Sequence, residues 1–166
     1  FVSVKGKIEP FLVTLATMFM YRGLALTLNT GKPVPIVIPY FADMFGNGSL
    51  FNIIPSPVII SLIVLLVSWF VFTKTKFGFY VRSIGGNPEA ARVAGIDIGL
   101  VKIAAYTMNG GYAFISGLIL AALMNSGLPD VGSTLALDSI AGVILGGTAI
   151  SGGVGSIWGT LGGCLI

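Results

Sequence analysis

The chain alternates between long apolar runs and short polar stretches. PVIISLIVLLVSWFVFT, Pro57 to Thr73, carries no charge, and neither does IAAYTMNGGYAFISGLILAALM, Ile103 to Met124. A helix needs about 20 mostly apolar residues to cross the hydrocarbon core, and both runs meet or approach that length. A further apolar run extends from Pro10 to Leu28. Proline suits its first position, where a missing N–H would have had no partner anyway. Arg22 interrupts this run, and an arginine at mid-bilayer costs roughly 2.5–3.5 kcal/mol on insertion scales. It is therefore expected to snorkel or to face a protein interior. The last run, Ser139 to Ile166, is uncharged and holds nine glycines. Glycine weakens a helix in water by about 1 kcal/mol relative to alanine, but in a membrane small residues let helices approach closely. Gly155, Gly159 and Gly163 recur every fourth residue and are predicted to line one helix face for packing. The Gly-Gly steps at 146–147 and 152–153 predict a break between two apolar halves.

The polar stretches carry different signals. Residues 29–56 are rich in glycine and proline and read as an irregular loop with turns. Asn47-Gly48-Ser49 matches a glycosylation triplet but reads as a turn. A second loop spans Asn125 to Asp138. The most polar stretch lies between the two uncharged runs, from Lys74 to Lys102. Inside it, Gly85-Gly86-Asn87-Pro88-Glu89-Ala90-Ala91-Arg92-Val93-Ala94-Gly95-Ile96 is punctuated as a short helix. Asn87 is a good N-cap. Pro88 fits the first turn, and Glu89 sits where the helix dipole favours an anion. Gly95 suits the residue just past the end, with Ile96 placed for the hydrophobic contact that follows. Helices under roughly 12 residues are marginal alone, so something must hold this one. Ala90, Ala91 and Ala94 are small enough for another surface to approach, and Glu89 and Arg92 offer polar contacts at its rim. On these residues alone, a docking element for a cytoplasmic partner and a loop helix packed on its own membrane domain are both open.

Composition turns these runs into a fold class. Of 166 residues only 9% are charged and 55% are hydrophobic, whereas soluble proteins are about 25% charged. The expected fold is all-α, a polytopic helical bundle in the lipid bilayer. The chain begins with Phe1 and ends at Ile166 inside an apolar stretch, so a fragment incomplete at both ends is expected. Loop charge predicts orientation. The 74–102 stretch holds Lys74, Lys76, Arg82, Arg92 and Lys102 against Glu89 and Asp97. The 29–56 loop has Lys32 and Asp43, and the 125–138 loop has Asp130 and Asp138 without a cation. This places 74–102 and the leader with Lys5 and Lys7 in the cytoplasm, and the other two loops outside.

The net charge of +3 has no clustered basic face, so nucleic acid is not an expected partner. Cys164 is the single cysteine and histidine is absent. A Ser–His triad is therefore impossible, and no metal site or other catalytic group stands out. GGTAISGGVGS lacks the lysine of a P-loop. No cofactor is expected, and Cys164 reads as a packing residue.

Four stretches resemble the permease subunit of bacterial ABC-type sugar importers, in the ribose/galactose/xylose branch of the binding-protein-dependent permeases. They are KIEPFLVTLATMFMYRGLAL, TKFGFYVRSIGGNPEAARVAGI, LALDSIAGVILGGTAISGG and GGVGSIWGTLGG. The resemblance covers nearly the whole chain. It implies one transmembrane permease domain over 1–166, part of a longer protein of the bacterial inner membrane, with 74–102 as a cytoplasmic coupling loop. Glu89-Ala90-Ala91 and Gly95 are similar to that family's EAA loop, whose short helix sits in a groove of the ATP-binding subunit. Asn87, Pro88, Glu89, Ala90, Ala91, Arg92 and Gly95 are then the coupling residues. The partners implied are a cytoplasmic ATP-binding subunit, a second permease subunit and a periplasmic sugar-binding protein. One departure is Ala136, where the family often has a glutamate before Leu-Asp.

Permeases for branched-chain amino acids share a similar Gly-Asn-Pro-Glu-Ala-Ala-Arg pattern, so those solutes, or nucleosides, are alternatives. An ion-coupled secondary transporter is a rival, since broken glycine-rich helices also build its midplane sites. Such proteins usually carry intramembrane acids, and these spans have none. A membrane-anchored assembly subunit is a third reading. Candidates for a solute path are Phe11, Thr14 and Thr17 on the first span and Asn109 on a later one. Ordinary helix packing or interhelical hydrogen bonding explains the same residues.

Overall fold

A computed structural model describes residues 10–50, 54–129, 131–132, 135–149 and 151–166; the side chains at 10, 11, 49 and 50 lie outside that description. The leader with Lys5 and Lys7, and Asp130, also lie outside it. The fold is helical. Seven helices occur among the described residues: α1 (Pro10–Asn29), α2 (Ser56–Lys74), α3 (Lys76–Gly86), α4 (Pro88–Val93), α5 (Ile98–Met124), α6 (Leu135–Leu145) and α7 (Ile157–Leu165). Four two-residue strands accompany them: β1 (Val34–Pro35), β2 (Ser49–Leu50), β3 (Ile54–Pro55) and β4 (Ser126–Gly127).

Helices α1, α2 and α5 are long and apolar enough to cross a membrane. Helix α2 buries none of its 19 residues within the chain, so its apolar side chains are left for lipid or other protein. Its last turn carries Lys74, a favourable place for a cation at a helix C-terminus. The Lys74 ammonium lies 5.9 Å from the centroid of the Trp69 ring. Helix α5 has 27 residues and is therefore about 40 Å long. It starts at Ile98, five residues before the uncharged run, because Asp97 Oδ1 accepts the Leu100 N–H and caps it. Lys102 thus stands on the helix rather than in a loop.

The chain divides into two compact units. The first holds the described residues up to Leu62 together with Thr107–Val131. Here the 29–56 stretch is more ordered than its composition predicts. Strand β1 pairs antiparallel with β4, Val34 opposite Gly127 and Pro35 opposite Ser126. The Ile36 N–H extends the pairing to the Asn125 carbonyl at 3.1 Å. A π-helical turn, Asp43–Asn47, buries Gly46. A Cβ there would stand 2.8 Å from the carbonyl carbon of Ala122, which is fully buried near the end of α5. Gly48 follows that turn, and its carbonyl accepts from both the backbone N–H and the hydroxyl of Ser56, each at 2.7 Å. Asn47-Gly48-Ser49 therefore lies where the π-turn passes into the β2–β3 hairpin.

The second unit comprises Ile63–Tyr106 and Gly132–Ile166. Its core is small: Ile84, Ala91 and Val101 are buried, with Phe77, Tyr80, Val81, Ile96 and Ile98 packed around them. Arg82 ties α3 back to the end of α2, donating from Nη2 to the Phe72 carbonyl at 2.6 Å and from Nε to the Gly78 carbonyl at 3.3 Å. The glycine-rich C-terminal run breaks after Leu145 into α6 and α7, as the Gly-Gly steps predict. The two helices pack as a hairpin in which glycine meets glycine. A Cβ on Gly159 would run into the Gly146 carbonyl, and one on Gly163 into the Gly142 carbonyl. Gly155 departs from the predicted stripe. It precedes α7, whose N-cap is Ser156, and its contact is the Thr148 side chain. The cap starts the helix at Ile157, too late for Gly155 to join the face.

Candidate functional site

Helix α4 is built as its punctuation predicts. Asn87 has extended backbone and its side chain accepts from the Ala90 N–H at 3.1 Å. Pro88 opens the helix and Glu89 sits in the first turn. At the far end Ala94 is the C-cap and Gly95 adopts φ +79°, the left-handed conformation that glycine enters without penalty. The Ile96 N–H then returns to the Ala91 carbonyl at 3.1 Å and the Gly95 N–H to Arg92 at 3.0 Å. This closes the carbonyls that a helix end leaves open. The helix spans six residues, slightly less than its sequence signals imply.

Besides its caps, what holds so short a helix to the rest of its unit is one side chain. Ala91 is 4% exposed and packs with Ile84 of α3 and Val101 of α5. Ala91 is small where its own chain approaches it, and that chain covers its side chain. Glu89, Ala90, Arg92, Val93 and Ala94 are all exposed. Val93, at 89% exposure, is the residue sequence reasoning passed over. Had the helix been phased on Ala91 as its inward position, Val93 would have stood out as an apolar residue facing away. The exposed side of α4 is thus an apolar strip of Ala90, Val93 and Ala94, with Glu89 and Arg92 supplying charge of both signs.

Arg82 and the glycines form a second feature of this unit. At the end of α3, a Cβ on Gly85 would meet the Gly153 N and stand 2.9 Å from its Cα. Gly152 and Gly153 have φ of +89° and +81°. A cleft of about 290 Å³ opens nearby, with Arg82, Thr148, Ser156 and Thr160 on its walls. Helix α3 touches the 152–153 loop backbone to backbone through these glycines.

The described residues do not bring the solute-path candidates together in one place. Thr17 spends its hydroxyl on the Val13 carbonyl of its own helix at 2.7 Å. Thr14 and Asn109 are exposed on α1 and α5. Phe11 has its place in α1, but its side chain lies outside the described residues. Among the described residues α1 and α5 do not pack along a shared face. Cys164 is a free thiol whose sulfur lies against Gly142 in the α6–α7 hairpin; a Cβ on Gly142 would stand 2.8 Å from it.

Comparison with known proteins identifies the family. The family model described as branched-chain amino acid transport system / permease component matches residues 1–166. The ribose import permease protein RbsC of Bacillus subtilis (strain 168) is 42% identical over 163 residues, covering 98% of this chain and 50% of the relative. RbsC of Escherichia coli (strain K12) is 38% identical, covering 99% of this chain and 52% of the relative. The L-arabinose transport system permease protein AraH of Escherichia coli (strain K12) is 37% identical, covering 100% and 50%. No solved structure matches. The chain spans about half the length of the curated relatives it matches. It belongs to this family of integral membrane permeases.

Proposed function

We propose that the protein to which this chain belongs is the membrane-spanning subunit of an ATP-driven sugar importer of the bacterial inner membrane. It forms the translocation path and couples to a separate cytoplasmic ATP-binding subunit through the 87–95 helix. The observation that carries the coupling is the construction of α4. Caps at both ends and a single buried alanine fix the helix to its own unit, while Ala90, Val93 and Ala94 remain as a flat apolar strip edged by Glu89 and Arg92. A surface of small side chains with mixed charge at the rim suits docking into a groove. The excess of cations from Lys74 to Lys102 supports a cytoplasmic location for it. The sugar is supported by relatives named for ribose and arabinose. A second permease subunit and a periplasmic sugar-binding protein complete the assembly, and gating of the membrane helices performs the work.

The full-length parent, pulled from membranes with its ATP-binding subunit, tests the coupling. Val93→Asp and Glu89→Arg are expected to reduce association about tenfold, as loss of a central contact does at other interfaces. Gly110→Ala should leave it unchanged, since a Cβ there meets nothing within 4 Å. Full association in both surface variants would reject α4 as the docking element. Uptake of labelled ribose, arabinose and leucine separates the sugar reading from the amino-acid transport that the family description names.

A further inference from the structure

We infer that Gly85, seated against Gly152–Gly153, is a positioning contact through which movement of α4 is passed to the α6–α7 hairpin. The inference deepens the proposed function and rests on its coupling step. Two consecutive residues at the end of α3 face two different ways. Ile84 is buried with Ala91 of α4, and Gly85 meets the loop between α6 and α7 backbone to backbone. That loop is itself tied down. The Ala149 N–H reaches the Val154 carbonyl at 3.0 Å, and the Gly152 N–H reaches Ala149 at 3.0 Å. Ser156 then caps α7, and Gly159 and Gly163 seat α7 on α6. The chain of contacts from α4 to α6 therefore runs through the buried side chains of Ala91 and Ile84 and then through glycine backbones. None of its glycine steps has a rotamer to yield, so displacement at one end is carried rather than absorbed.

The neighbouring glycine supplies the control. A Cβ on Gly86 would meet nothing within 4 Å, whereas one on Gly85 would stand 2.9 Å from the Gly153 Cα. In the full-length transporter with its ATP-binding subunit, Gly85→Ala is expected to keep ATPase association while uptake per ATP hydrolysed falls about tenfold. Gly86→Ala should match the native ratio. A contact that only supports the fold would lower uptake and hydrolysis together and leave that ratio alone. A native ratio in Gly85→Ala overturns the inference, and so does loss of ATPase association, which would make the contact part of docking. A native transporter that binds no ATPase defeats the earlier reading instead, and shows this before any variant is made. A second measurement covers failure of Gly85→Ala to fold. Spin labels at Lys76→Cys and Ser151→Cys, with Cys164→Ala, should keep one separation in nucleotide-free and ATP-bound states. A changed separation overturns the inference.

Discussion

Helices α4 and α7 are both too short to stand alone, and they are held in opposite ways. Helix α4 has six residues and depends on side chains: the Asn87 cap, and Ala91 in a pocket of Ile84 and Val101. Helix α7 has nine residues and depends on backbone, with Gly159 and Gly163 against Gly142 and Gly146. The difference follows from the sequence around each. The stretch at α4 carries charge and most of its side chains are exposed, a setting in which caps and dipole matching contribute. The stretch at α7 is uncharged. In an apolar surrounding no hydrophobic force drives two helices together, and close approach of small residues contributes the dispersion that does. One region is specified by what its side chains add, the other by their absence.

Substitutions that exchange these strategies should separate them. The largest effect is expected for Gly163→Val, whose Cβ would stand 2.9 Å from the Gly146 Cα besides meeting the Gly142 carbonyl. Neither neighbour can turn aside, so a loss above about 3 kcal/mol is expected, read as failure to recover folded protein from membranes. Gly162→Ala, one position away with nothing within 4 Å of its Cβ, should be recovered normally. Ala91→Leu comes next, at about 1–3 kcal/mol, because Ile84 and Val101 can repack in part. Thermal unfolding of the purified parent should show it as a clear fall in midpoint. Asn87→Ala removes the cap bond to Ala90 and should cost about 1 kcal/mol, seen as faster amide exchange confined to 89–91. The smallest is Val93→Thr on the exposed strip, within about 0.5 kcal/mol by the same thermal assay. A Val93→Thr loss as large as that of Ala91→Leu would mean that α4 is held by its outer face, and the contrast between the two helices would fail.

How far the sequence discloses these regions depends on the range of the forces involved. Asn87, Pro88, Glu89 and Gly95 act within a few residues, so their spacing alone marks α4, and the same holds for the apolar lengths of α1 and α2. Helix α3 is less visible. Its Lys76, Phe79 and Arg82 stand on an exposed side, and its charges blend into the polar stretch that surrounds it. The start of α5 is obscured for the same reason, since Lys102 reads as loop until the Asp97 cap places it on a helix. The pairing of β1 with β4 joins segments about ninety residues apart, beyond the reach of any local pattern. Gly85 against Gly153, about seventy residues apart, is likewise beyond it. Ala91 is the instructive case. Its size reads as room for a partner, yet the room is filled by Ile84 and Val101, and only phasing against long-range neighbours distinguishes the two.

The α6–α7 seam also limits which mutations can compensate for one another. At Gly142 the nearest neighbour of an added Cβ is the Cys164 sulfur, so damage from Gly142→Ala has a relief: Cys164→Ala vacates the space. At Gly163 the neighbours are the carbonyl and Cα of other glycines, and no residue is smaller. Second-site suppressors of Gly142→Ala should therefore be recoverable by selection for growth, and suppressors of Gly163→Ala within the seam should not. Inheritance of such a contact is one-way: its glycines can drift only together, by moving the backbone, and a lineage that keeps the backbone keeps the glycines.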